Sequence, residues 1–476
     1  MADPANVDPI DAEQSDVDAI CRRARDTQRD WAARADQAML DRAALAAAWS
    51  LMEPTRNQAL SELAVATTGL GRVEDKVGKN HRKTLGLLRD IESVRTQGVI
   101  RRVPERGLTE IARPLGVVGA VVPSTNPLAT PVNNTVNALK CGNAIVLSPS
   151  PKGSEACERL LHHMHAEFDK AGVPRDLVQM LPRPSSKAKT HRLMQLVDLV
   201  VVTGSQANVR AAYSSGTPAI GVGAGNVAVI IDETADPTEA AAKIAASKCF
   251  DNATSCSSEN ALVVIDDAYD SVMTALEQAG GALLTGAERE RLIAAHWRDG
   301  RLNPAVLAKD IQVLAGEAGL DRLDLTETRF VMTQESGIGP GHPMSGEKMS
   351  LALAVYRARD FDDAKTVAAR LLDHEGAGHS VGLHTRRTER ALELGLELPT
   401  CRVIVNQAHC FATGGSFDNG LPFSLSMGCG SWGGNSIDGN LHWRHFLNVT
   451  RVVETIPSRE PELETVFGPY WESVGR

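Results

Sequence analysis

Gly116-Val117-Val118-Gly119-Ala120-Val121-Val122-Pro123 is an unbroken run of small and β-branched apolar residues. Lacking the polar alternation of a half-exposed strand, it predicts a strand buried on both faces. Helical spacing follows from about Pro131 to Leu139, then a second apolar run, Ala144-Ile145-Val146-Leu147. The alternation continues through a helix at 153–170, strand Val178-Gln179-Met180-Leu181, a helix at 187–195, strand Leu199-Val200-Val201-Val202, a helix reaching Tyr213, and strand Val227-Ala228-Val229-Ile230-Ile231, which closes the series. Repeated strand–helix–strand units with short connections predict an α/β fold with a parallel, doubly wound sheet. Ligands are expected at the carboxyl ends of its strands.

Upstream the chain reads as helical from about residue 11 to 95. Val17, Ile20, Ala24 and Trp31 share a helix face, and an alanine-rich helix runs from Ala43 to Met52 before Pro54. A third helix starts near Asn57 and breaks at Gly69-Leu70-Gly71; a fourth opens at Val73 and carries Lys83 to Ile91. Between helices and sheet, Val99–Val103 and Leu108–Arg113 read as an exposed hairpin with edges open to a partner subunit. The second half is less regular: helices at 239–246, 269–279 and 286–297, and strands at 329–332, 351–356 and 401–406. A glycine-rich stretch at 414–435 then precedes a last strand, Leu447–Val453.

A chain of 476 residues exceeds one core, so two or three domains are expected. A net charge of −9 argues against non-specific nucleic-acid binding. No apolar run approaches the ~20 residues needed to span a bilayer, and the acidic Met1-Ala2-Asp3-Pro4 does not resemble a signal sequence. The eight cysteines are scattered, without C-x-x-C pairs or ligand-like histidine spacing, which favours reduced thiols in the cytoplasm and no metal site.

Four features carry chemistry. Ser124-Thr125-Asn126 sits just past the first buried strand, where the Asn126 amide can donate to a developing oxyanion or serve an ordinary turn. Thr203-Gly204-Ser205 ends another strand and opens a helix, a place able to hold a phosphate. Gly221-Val222-Gly223-Ala224-Gly225-Asn226 permits close approach of a ligand or forms a flexible turn. Cys256 lies in a polar loop that enters the apolar run Ala261–Ile265; it is either a rigidly held nucleophile or a small buried residue.

Together these motifs resemble the aldehyde dehydrogenase superfamily, in its CoA-acylating branch. The resemblance covers about Val73 to Val453. It is carried by Pro123-Ser124-Thr125-Asn126-Pro127, Ala211-Ala212-Tyr213-Ser214-Ser215-Gly216, Gly221 to Asn226, Phe250-Asp251-Asn252 with Cys256-Ser257-Ser258-Glu259, His342-Pro343 with Glu347-Lys348, and Gly428 to Asn435. It implies that Cys256 attacks an aldehyde carbonyl, that Asn126 and the Cys256 backbone N–H stabilise the oxyanion, and that hydride loss leaves a thioester. Hydrolytic members carry a glutamate base where this chain has Gly221, so the thioester is expected to await coenzyme A rather than water. Glu259 is discounted as that base because it enters a strand.

The resemblance also implies an NADP or NAD site. It would be built from Ser124, Thr125, Ser148, Pro149, Lys152, Thr203, Gly204, Ser205, Gly221 and Gly223, with Glu347 on the nicotinamide ribose. Lys152 or Arg183 could reach a 2′-phosphate, which tilts the reading toward NADP. The loop 406–420 is similar to that of acylating sulfoacetaldehyde dehydrogenases. His409 becomes the candidate for an anionic aldehyde, with Arg402, His442 and Arg444 more distant. The implied organisation is a Rossmann-like cofactor domain with N-terminal helices (1–97 and 114–235), an α/β catalytic domain (236–445), and an oligomerisation arm (98–113 and 446–476) serving a homodimer or homotetramer. A hydrolytic enzyme acting on other aliphatic or aromatic aldehydes, a phosphorylating reductase, and a silent assembly subunit are the alternatives.

Overall fold

The computed structural model describes residues 9–476, so Met1-Ala2-Asp3-Pro4 lies outside the described residues. Four helices come first, Pro9–Arg34, Gln37–Met52, Pro54–Thr68 and Val73–Ile91. Their ends follow local chemistry. Asp36 accepts from the Met39 N–H, Glu53 accepts from Thr55 and Arg56 ahead of a helix opened by Pro54, and Gly69 closes that helix in the left-handed conformation.

The hairpin is present as β1 (Gly98–Val103) and β2 (Leu108–Pro114), paired antiparallel. Next come β3 (Val117–Val122), β4 (Ala144–Pro149), β5 (Val178–Met180), β6 (Leu199–Val202) and β7 (Ala219–Gly221), all parallel, in the order β5-β4-β3-β6-β7. Every residue of β3 is buried, as its unbroken apolar run requires. From β3 the chain first winds outward to β4 and β5, then returns to lay β6 and β7 on the other side. The order therefore reverses between β3 and β6, which opens a crevice at their carboxyl ends. The edge strand β7 has no counterpart in the sequence reading, because three residues are too short for a period to show.

One sequence reading is corrected. Val227–Ile231 does not close the cofactor sheet. As β8 it lies within a second, seven-stranded sheet. That sheet also holds β9 (Glu259–Ile265) and β10 (Gly281–Leu283) and, after a small hairpin of β11 (Trp297–Arg298) and β12 (Arg301–Leu302), β13 (Phe330–Glu335), β14 (Ala352–Ala358), β15 (Val381–His384) and β16 (Val403–Val405). The order β10-β13-β14-β9-β8-β15-β16 is parallel throughout. An all-apolar strand reads the same in either sheet, so its pattern could not say which one it joins. β17 (Leu447–Val453) returns to pair with β2, completing a three-stranded β1-β2-β17 sheet.

Two apolar cores result. One joins the N-terminal helices to the five-stranded sheet and takes in Phe423, Leu441 and Phe446 from late in the chain. The other fills the seven-stranded sheet and its helices. Among the described residues no helix is long and apolar enough to cross a membrane, and no three metal-ligating side chains converge.

Candidate active site

A cavity of about 440 Å³ lies where the two sheets face each other. From the first sheet its wall takes Pro123, Ser124, Thr125 and Asn126 beyond β3, and Thr203, Gly204, Ser205 and Gln206 beyond β6. These are the carboxyl ends flanking the reversal of strand order. From the second half come Val222 to Ala224 ahead of β8, Thr254 to Ser257 ahead of β9, and Glu347, Met349 and Glu375. Lys83 completes the wall from the fourth helix, with Cys410, Gly414, Ser424, Leu425 and Met427 from the late segments.

The segment delivering Cys256 is bent and anchored. Asp251, Asn252 and Ala253 all adopt the left-handed conformation, with φ of 50°, 51° and 58°. For non-glycine residues this costs roughly 1–3 kcal/mol each and persists only where surroundings impose it. The surroundings here are ionic. Asp251 is wholly buried; its carboxylate accepts from the Arg72 N–H (2.8 Å), from Lys76 Nζ (3.1 Å) and from Lys79 Nζ, while its own N–H donates to Asp75 (2.9 Å). Burial opposes the Asp251 charge, yet Lys79 and Lys76 hold its carboxyl below the usual range. The Asn252 amide donates to Asp310 (2.9 Å). A Cβ on Gly225 would lie 2.0 Å from the Cys256 carbonyl oxygen, so the segment before β8 can press against the nucleophile's backbone only as glycine.

The same lysine orients Asn126. Lys79 Nζ donates to Asn126 Oδ1 at 2.8 Å, leaving the amide N–H₂ as the group Asn126 can offer the cavity. On the other side, Cys256 Sγ lies 3.4 Å from His379 Nε2, in the segment entering β15. His379 Nδ1 meets Ser380 Oγ at 2.8 Å, and Ser380 Oγ meets His409 Nε2 at 2.8 Å. Burial pushes the Cys256 thiol up to about 12, with Glu347 and Cys429 adding to it. Burial, then Arg402, pushes His379 down to about 3. The resting pair is therefore a thiol beside a neutral imidazole.

The sequence candidates separate into two groups. Cys256, Asn126, Ser124, Thr125, Thr203, Gly204, Ser205, Gly223 and Glu347 all line the cavity. Ser148, Pro149 and Lys152 do not. They lie at the end of β4, one strand away, where Ser148 Oγ meets Thr190 Oγ1 at 2.9 Å and Lys152 is exposed. Arg183 is engaged with Glu155 and Glu158. Gly221 is buried at the end of β7, where a Cβ would sit 2.6 Å from Val209 Cγ1, so it packs on a helix instead of meeting a ligand.

His409 is also corrected. It is 1% exposed and bonded to Ser380, outside the cavity wall. Arg402 is committed to backbone carbonyls of His379, Gly428 and Asp438 and to Asn440, while His442 and Arg444 lie off the cavity. Glu259, the discounted base, is buried beneath the loop with Oε1 accepting from the His409 N–H, away from the wall. Sequence reasoning missed His379, Lys79 and Lys83. Glu375-Gly376-Ala377-Gly378-His379, a glycine-rich segment ahead of a strand, has the same form as Gly221 to Asn226 and was the available signal for the first.

A cysteine at the mouth of a strand, an amide held beside it and a crevice at the reversal of a parallel sheet together define an oxidoreductase of the aldehyde-oxidising kind. Residues 5–295 match the model of the aldehyde dehydrogenase family, and the chain belongs to that family. It is 56% identical over 470 residues to the acylating sulfoacetaldehyde dehydrogenase of Cupriavidus necator, covering 99% of this chain and 95% of that protein. It is 40% identical over 445 residues to the protein of that name from Bilophila wadsworthia, covering 92% and 95%. Among solved structures it is similar to an acetylating aldehyde dehydrogenase from Geobacillus thermoglucosidasius, with a TM-score of 0.91 and 32% identity over 96% of this chain and 100% of that one.

Proposed function

We propose that the chain oxidises sulfoacetaldehyde to its coenzyme A thioester with reduction of NADP or NAD. The observation that carries the reading is the pairing of Cys256 Sγ, on the cavity wall, with His379 Nε2 behind it. The likeness to acylating sulfoacetaldehyde dehydrogenases supports the substrate.

The carbonyl enters between Cys256 and Asn126. Because burial disfavours a free thiolate, the S–H proton passes to His379 Nε2 as the C–S bond forms. The Asn126 amide donates to the oxyanion, held in place by Lys79 on its oxygen. A bound nicotinamide supplies hydride acceptance. Ser124, Thr125, Thr203, Gly204, Ser205 and Gly223 offer small side chains and backbone at the strand ends where it would lie, with Glu347 on its ribose. Burial, then Glu375, raises the Glu347 carboxyl to about 8, so near neutral pH it is a protonated donor. Lys152 on the exposed rim of β4 favours NADP. After His379 has released the first proton to solvent, it takes the proton of the coenzyme A thiol as that sulfur attacks the thioester, and returns it to the Cys256 sulfur as the acyl–Cys256 bond breaks.

Eight free thiols suit a reducing compartment, so we place the enzyme in the cytoplasm. The β1-β2-β17 sheet and the exposed apolar residues Leu463, Val466, Phe467, Tyr470 and Val474 of the last helix support a homodimer or homotetramer. The deciding experiment measures NADPH or NADH formation from sulfoacetaldehyde with and without coenzyme A. Strong stimulation and a coenzyme A thioester product are expected; equal rates with free acid as product would overturn the acylating reading.

A further inference from the structure

Three lysines, Lys76, Lys79 and Lys83, fall on one face of the helix Val73–Ile91 and are all at most 5% exposed. The first two share the Asp251 carboxylate. Lys83 does not. Its Nζ donates to the Gly414 carbonyl and lies 5.6 Å from the centre of the Phe423 ring. Among the described residues it has no carboxylate ion-pair partner, and the neighbouring Arg82 and Lys79 cations oppose its charge. Lys83 is also the single lysine or arginine among the cavity-lining residues. A buried ammonium with one carbonyl and an aromatic face is poorly compensated, and its remaining N–H donors have an acceptor to gain only from the cavity.

A two-carbon aldehyde bonded to Cys256 carries its end group one carbon from the reacting centre. That group must therefore sit inside the same cavity, whose wall carries both Cys256 and Lys83. We infer that Lys83 holds the anionic end group of the aldehyde, the sulfonate, and so determines specificity against neutral aldehydes; the inference rests on the anionic-substrate reading above. The alternatives raised by sequence are closed to this role, since His409 lies behind Ser380 and Arg402 is occupied by backbone carbonyls. Burial and the neighbouring Arg82 cation push the Lys83 pKa well down in the free enzyme. An incoming anion favours the ammonium form, so anion binding is linked to proton uptake and weakens as pH rises through the Lys83 pKa.

The test compares kcat/KM for sulfoacetaldehyde and acetaldehyde in the wild type, Lys83→Met and Lys83→Arg. Lys83→Met should lower the sulfoacetaldehyde-to-acetaldehyde ratio by about 10- to 100-fold, mainly through KM, with Lys83→Arg recovering part of it. Equal loss with both aldehydes, or an unchanged ratio, would overturn the inference and leave Lys83 a structural residue. A wild type without preference for sulfoacetaldehyde would overturn the substrate reading itself, and the inference with it. Should Lys83→Met fail to fold, ethanesulfonate inhibition of acetaldehyde oxidation by the wild type still decides. Competitive inhibition that weakens with rising pH supports an ionisable cation in the cavity; absent or pH-independent inhibition overturns it.

Discussion

The two sheets contribute to the cavity from opposite ends. The five-stranded sheet presents the carboxyl ends of β3 and β6, with Asn126 and Thr203 just beyond them. The larger sheet presents segments that enter its strands, Val222 to Ala224 before β8 and Cys256 before β9, with His379, in the segment before β15, lying behind Cys256. The chemistry differs with the geometry. Asn126 is fixed by ion pairs through Lys79 and Asp251, whereas Cys256 faces a neutral chain of His379, Ser380 and His409. A charged lattice suits a group that must stay still. A neutral relay suits one that must exchange a proton.

That division of labour fails most visibly if His379 is dispensable. His379→Ala is expected to lower kcat by about 10²–10⁴-fold, in the range of a lost general base. The loss should include the coenzyme A-dependent step resolved by single-turnover kinetics, and retention of both steps would remove the relay from the mechanism. On the opposite wall, Asn126→Ala should cost about 10²–10³ in kcat, the usual effect of a lost oxyanion donor, with little change in the affinity for the nicotinamide cofactor. A loss confined to KM would make Asn126 a substrate contact. The smallest effect is on the resting thiol. With Cys256 held near 12, its alkylation by iodoacetamide should rise about tenfold per pH unit from pH 7 to 9. A plateau in that interval, seen by mass spectrometry of the Cys256 peptide, would show a thiolate already stabilised before substrate arrives.

The same asymmetry explains what could be read from sequence. The rule that α/β sheets bind ligands at carboxyl ends pointed to Ser124, Thr125, Asn126 and Thr203 to Ser205, and the continuous apolar strands identified the sheet itself. No comparable rule marks the entry of a strand. Cys256 was found because its loop resembles a family motif, while His379 sat unremarked in a glycine-rich turn before β15, a short strand interrupted by Gly382. Lys83 read only as one residue of the fourth helix because burial of a charge leaves no periodic mark. His409 was misplaced for a related reason. Residues 409–412 form a short helix whose first residue turns inward to Ser380, and one side chain's direction in a loop is not encoded in spacing. Helix limits such as Met52 and Thr68 were legible because Pro54 and Gly69 punctuate them.

The helix Val73–Ile91 is rooted by Leu87 and Ile91 in the core of the five-stranded sheet, while Lys76 and Lys79 at its other end grip the loop of the nucleophile. It behaves as a gauge rod between two machine parts. The gap across which a carbonyl must fit is set by the length of a stiff cylinder and not by the slack of a connecting loop. Any hinge motion that widened that gap would have to pull a buried carboxylate away from two ammonium groups.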